Sequence, residues 1–229
     1  MKKLLSLLII IATLLSLFGC GKKYPEVKST AEEDRVVITL EADNKKYEIK
    51  YELYRALFWA NKKSVDKGDD SVWQSDKANE YIEKIDEIII EKASEIYSVL
   101  HLAEKLGINP YSKDVEDRIY EQICIAVEGG YGIAGFGGDY DAYLADLAKI
   151  GINYSVQDLL FRYSIATEKI NEYYIGVEDE ATDTMLRAEI TEMFFDISSR
   201  LTHFFHLGQE EFKFATLLYF TREHLQSSK

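Results

Sequence analysis

Thiols are scarce in this 229-residue chain: Cys20 and Cys124 are its two cysteines. Such a pair makes no disulfide framework, and no cysteine or carboxylate pair stands at a spacing diagnostic of a metal site. Positive charge is also in short supply. Lys and Arg number 27 against 40 Asp and Glu, a net −13, which makes nucleic acid and anionic lipid surfaces poor partners. Long apolar runs are missing after the first 20 residues. The one run present, Leu4–Phe18, has 15 residues, short of the ~20 that a membrane-spanning helix needs.

That run follows Met1-Lys2-Lys3 and ends at Gly19-Cys20, the pattern of an export signal: a basic start, a short apolar core, a small residue before the break. Leu17-Phe18-Gly19-Cys20 resembles a lipobox, in which the cysteine is diacylated and becomes the mature N-terminus. Phe18 departs from the small or branched residue usual there, and an uncleaved signal anchor is the alternative. Two acyl chains hold a protein on a membrane where one binds only marginally. Cleavage before Cys20 removes Lys2 and Lys3 from the 27 basic residues, leaving 25 against 40 acidic, a net −15. With Cys20 acylated, Cys124 is the remaining thiol and no intrachain disulfide forms. The expected organisation is a signal peptide over 1–19, a polar tether over 20–35, a domain over 36–176 and a C-terminal extension over 177–229.

The domain is organised around Ser75–Gly107. Its apolar residues recur in steps of three and four: Tyr81, Ile82, Ile85, Ile88, Ile89, Ala93, Ile96, Tyr97, Leu100, Ala103 and Leu106. This is one buried face of a long helix, with Ser75 placed to cap it and Gly107 to end it ahead of Pro110. No catalytic group reads onto that face. Before it, Val36–Leu40 and Tyr47–Ile49 read as a strand pair about a turn, followed at once by a helix carrying Tyr54, Arg55 and Phe58. After it come a helix over 112–127, a glycine-rich stretch with six glycines in EGGYGIAGFGGDYD, a helix capped by Asp139, and a fifth whose capping-box-like start uses Ser155 and Asp158. Beyond Val177 the pattern predicts helix to about Phe205, with helix or strand over Phe212–Thr221. The fold class expected is mainly α with a small N-terminal β-hairpin.

Several motifs invite a chemical reading. Gly130-x-Gly132-x-x-Gly135 matches a dinucleotide fingerprint, but that site needs a strand before the glycines and a helix opening on the third. Helical pattern precedes them here, and Phe136-Gly137-Gly138 follows, so a flexible interhelical loop is expected. His203 and His206, at i and i+3, would share a helix face, with His224 as a third candidate ligand, yet histidines alone without a further ligand pattern are weak evidence for metal. Cys124, between Ile123 and Ile125, reads as a small hydrophobe rather than a nucleophile. No catalytic residue, cofactor or metal is therefore assigned. The aromatic residues Phe58, Trp59, Trp73, Tyr131 and Phe136 are the candidates for an adaptable surface that binds extended peptide.

The order of parts resembles the N-terminal chaperone domain of SurA/PrsA-type foldases, parvulin-linked lipoproteins and periplasmic chaperones. The residues that carry it are VVITLEADNKKYEIKYELYRALF, EKASEIYSVLHLAEKLGI, SKDVEDRIYEQI and FGGDYDAYLADLAKIGINYSVQDLLFRYSIATEKINEYY, about Val36 to Tyr174. The resemblance implies a helical module that holds unfolded or extended polypeptide on the outer face of a membrane. Such proteins usually continue into a parvulin isomerase domain opening with a strand like VRVxHIL. Arg200–Phe205 is similar to that opening, but the later parvulin motifs are missing, so no catalytic residues carry over and 177–229 reads as a helical extension or a parvulin remnant. The alternatives are a peptidyl-prolyl isomerase truncated or frameshifted at its C-terminus, and a structural or adhesive surface lipoprotein with one fixed partner.

Overall fold

A computed structural model describes residues 23–42, 45–175 and 202–205. It is mainly helical, with a β-hairpin near the start. Strands β1 (Val36–Ala42) and β2 (Lys45–Lys50) pair antiparallel, with Ile38 opposite Ile49 and Leu40 opposite Tyr47. Residues Val37–Leu40 are all buried, which is why this strand reads as a continuous apolar run, whereas β2 alternates and buries only Tyr47 and Ile49. A third strand, β3 (Thr202–Phe205), lies antiparallel on the free side of β1, giving the order β2-β1-β3. Helix was expected through Phe205. Instead these four residues take a ladder with a partner far away in sequence, which local periodicity cannot register.

Helix α1 (Tyr51–Asp66) follows β2 without a break and ends on Lys67 in the left-handed conformation. A short 3-10 turn over Asp70–Gln74 leads to α2 (Ala78–Lys105), a 28-residue helix within the span expected from Ser75 to Gly107. Ser75 does not cap it: Lys77 stands at the N-cap with no side-chain bond, and the Ser75 hydroxyl donates to the Val72 carbonyl of the preceding turn at 2.7 Å. Its end is a Schellman motif. Gly107 is left-handed (φ 76°), its N–H donates to the Glu104 carbonyl at 3.0 Å, and the Ile108 N–H donates to Ala103 at 2.8 Å. Helices α3 (Lys113–Glu128) and α4 (Tyr140–Lys149) are capped by the side chains of Ser112 and Asp139, and α5 spans Tyr154–Ile175. The cap of α5 is Asn153, whose Oδ1 accepts from the Val156 N–H at 3.0 Å. Ser155, expected in that role, turns to Ser29 instead.

One face of α2 unites two of the three cores. Ile82, Ile85, Ile89 and Ala93 pack with the hairpin and α1, while Ile96, Leu100 and Ala103 pack with Ala166 and Ile170 of α5. The third core joins α3, α4 and α5 through Val115, Ile119, Ile123, Tyr143 and Ile165, with Cys124 half-buried beside it as a packing residue. The buried face also holds a residue that periodicity missed. His101 is buried, and its Nδ1 meets the Tyr47 hydroxyl, tying α2 to β2.

Ile89 is fully buried in the first core. Ile89→Ala is expected to lower unfolding free energy by ~2–5 kcal/mol through lost burial and a residual cavity. Urea denaturation measures this, and a loss under ~0.5 kcal/mol would contradict the assigned face.

Candidate functional site

Residues 23–35 were expected to be a loose tether. They form a strap docked along the helices. Tyr24, only 2% exposed, sits in the third core, and its hydroxyl donates to Glu128 Oε1 at 2.8 Å. The Lys23 ammonium meets the same oxygen at 2.8 Å, and the Lys23 N–H donates to the Tyr120 hydroxyl. Hydrogen bonding to Glu128 holds the Lys23 ammonium well above its ordinary pKa, and the Glu128 carboxyl correspondingly low. Next, the Pro25 carbonyl accepts from the Tyr140 hydroxyl at 2.8 Å. Burial pushes the Tyr140 phenol up to about 12, so it remains a donor at any physiological pH.

Farther along, the strap crosses α1 and the start of α5. Ser29 donates to the buried Glu52 carboxylate and shares a 2.8 Å hydrogen bond with Ser155. Asn153 donates to the same Glu52 oxygen at 2.7 Å, so strap, α1 and α5 meet on one carboxylate. Glu33 then receives Arg55 at 2.9 Å, and Arg55 also donates to the Gly151 carbonyl. Burial raises the Glu33 carboxyl, but hydrogen bonds from Thr30 and Arg55 outweigh it and the net shift is downward.

Between strap and α5 opens a cleft of about 420 Å³. Glu26, Val27, Lys28, Ser29 and Asp34 form one wall, and Tyr154, Ser155, Asp158 and Arg162 the other. Arg162 is set by a two-pronged contact with Asp158 at 2.7 and 3.1 Å and by donation to the Pro110 carbonyl at 2.9 Å. Asp34 is paired with Lys50 at 2.5 Å. The walls thus carry both donors and acceptors, of which Ser29, Asp34, Asp158 and Arg162 are held in place by neighbours, with Val27, 44% exposed, as an apolar rim. Its volume lies in the ~300–1,000 Å³ range of ligand clefts. Sequence reasoning missed this site because its strap wall has no apolar period.

The five predicted aromatic residues do not form one surface. Phe58 and Trp73 are buried in the first core, with ring centroids 5.4 Å apart, and present nothing to a client. The 3-10 turn folds Trp73 inward, where its indole N–H donates to Asp66 at 2.9 Å. Trp59 is half-buried and packs beneath the left-handed Gly151, where a Cβ would stand 2.5 Å from the indole. Tyr131 and Phe136 alone reach the surface, on the glycine-rich loop between α3 and α4. There Gly130 and Ile133 bridge about Tyr131 (φ 49°) and Gly132 (φ 86°), and Val127 O accepts from the Phe136 and Gly138 N–H groups. Tyr131 takes a conformation costing a side-chain-bearing residue about 1 kcal/mol. Gly135 approaches Gly129 so closely that a Cβ would lie 2.2 Å from its nitrogen. A helix precedes these glycines and none opens on Gly135, unlike a dinucleotide site.

Cys20, His206 and His224 lie outside the described residues; His203 is in β3 rather than on a helix. Among the described residues no cluster of three or more His, Cys, Asp or Glu is placed to hold a metal, and no helix is long and apolar enough to cross a membrane.

Asp66 supplies a further test. Its carboxylate is buried beneath Lys62, the Trp73 indole and the Gly68 N–H, which together outweigh the upward push of burial and hold its pKa low. The group therefore contributes stability at pH above its unfolded value of about 3.9, lost as pH falls through the lower folded value. Lys62 also meets the Asp70 carboxylate, so Asp66→Asn leaves it one charged partner and is expected to cost about 1–3 kcal/mol at neutral pH. In denaturant titrations the gap to the wild type should close on acidification; a pH-independent gap would contradict the pairing.

No protein-family model, curated protein or solved structure matches this chain.

Proposed function

We propose that this protein is a membrane-anchored extracytoplasmic lipoprotein that binds unfolded or extended polypeptide, with no catalysis of its own. The observation that carries the reading is the cleft between strap and α5, open along the strap and walled by both donors and acceptors. An extended main chain offers N–H and C=O groups in alternation, whatever its side chains, so such walls suit sequence-tolerant binding. The signal-like residues 1–19 and Gly19-Cys20 support export and acylation at Cys20. The resemblance of Val36–Tyr174 to the chaperone domain of SurA/PrsA-type foldases supports the same class of client.

Ordering an unfolded client opposes binding, so affinity is weak for the area covered, on the order of micromolar. The acidic surface favours neutral or basic clients over acidic ones. Purified protein should slow the aggregation of an unfolded basic polypeptide followed by light scattering. Val27→Asp, at the exposed rim, should weaken that binding roughly tenfold, equivalent to about 1.4 kcal/mol, with the melting temperature unchanged. The same protein should leave cis/trans exchange of a proline peptide at its uncatalysed rate, set by a barrier of ~18–20 kcal/mol. Robust turnover would favour the isomerase alternative, and tight binding of one folded partner without effect on aggregation would favour the adhesive one.

A further inference from the structure

The loop between α3 and α4 is an uncharged tip on an acidic protein. No charged residue occurs from Gly129 to Gly138, and the tip exposes Tyr131 (90%), Ile133 (57%) and Phe136 (36%). The bridge between Gly130 and Ile133 and the bonds to the Val127 carbonyl tie its backbone, Tyr131 and Ile133 stand outermost, and Phe136 sits at the base with its ring edge-on to Tyr143 at 5.6 Å and one face left to solvent. The base of the tip is also where the strap begins. Glu128, which immediately precedes the loop, holds both Lys23 and Tyr24, and a Cβ on Gly138 would lie 3.8 Å from the Tyr24 hydroxyl. Three residue steps separate Lys23 from Cys20, a reach of at most ~10 Å.

We propose that the tip rests in the lipid–water interface beside the acylated Cys20, with Tyr131, Ile133 and Phe136 as its membrane contacts. This rests on the reading of Cys20 as the lipid anchor. Two acyl chains fix the chain to the bilayer, and so short a link makes the second contact an intramolecular one, populated even if weak. Tyrosine suits this depth because its ring is apolar and its hydroxyl wet. The acidic body is repelled by anionic headgroups, so the neutral tip is the face that can approach. The domain is thereby oriented, and the cleft at Glu26–Ser29 opens just along the strap from the membrane. Tyr131 and Phe136 are then lipid contacts rather than client contacts.

The test uses the full chain isolated from membranes, carrying Tyr131→Trp, in vesicles of phosphatidylcholine and phosphatidylglycerol with brominated acyl chains. Mass spectrometry of the N-terminal peptide reports acylation of Cys20 in the same sample. Bromine should quench the emission that the introduced indole adds to that of the native Trp59 and Trp73, as expected of a group buried at the acyl boundary. It should leave the emission of a Ser64→Trp variant, on exposed α1 surface, unchanged, and adding Ile133→Asp should abolish the quenching. Acylated protein without quenching overturns this inference and leaves the anchoring reading standing. Unacylated Cys20 overturns both. An indole that ignores brominated lipid but shifts on addition of unfolded polypeptide gives the tip to the client and overturns the membrane assignment.

Discussion

Burial of one face of α2 is the constraint on which the rest of the structure depends. A 28-residue helix is longer than most in globular domains, and no isolated helix of this composition would hold its shape in water on propensity alone. It persists because its first half is covered by the hairpin and α1 and its second half by α5. The two halves share one continuous stripe, so hairpin and α5 are positioned relative to each other through α2. The cleft inherits that precision: its strap wall is tied to α1 through Glu52 and Arg55, and its other wall is α5 itself.

The strap shows how a polar segment becomes part of a fold. It has one deeply buried side chain, Tyr24, and otherwise holds by hydrogen bonds at Glu128, Tyr140, Glu52 and Arg55. Each such bond is worth only about 1 kcal/mol net. They act together because the strap spans three elements already fixed by apolar packing. A wall held this way is firm enough to shape a cleft yet carries little apolar surface, consistent with a site that reads main chain rather than side chains.

Helices were legible because a 3.6-residue period survives any detail of packing, and the cap at Asp139 was legible because its side chain acts within three residues. Gly107 was legible for the same local reason. What escaped was whatever is decided at long range. Asn153 and Ser155 are both good capping residues, and the choice between them was made by Ser29, 126 positions from Ser155. Lys62 and Asp66 look like an ordinary exposed pair four residues apart on α1, but Trp73 folds over them and buries Asp66. Trp73 read as a surface aromatic since composition does not say which side of a turn a ring occupies, and Phe58 because its place on α1 does not by itself say what covers that face. The strand Thr202–Phe205 depends on β1, far away in sequence. The cleft was illegible throughout, because its residues share neither period nor motif.

Hydrogen exchange of the full chain, with and without a saturating unfolded polypeptide, bears most directly on the claim that the cleft holds an extended chain. Slowed exchange is expected, confined to the strap around Glu26–Ser29 and to the first turns of α5 around Tyr154–Asp158, with no such change when the same polypeptide is folded. Protection elsewhere with these segments untouched, or none at saturation, would contradict it.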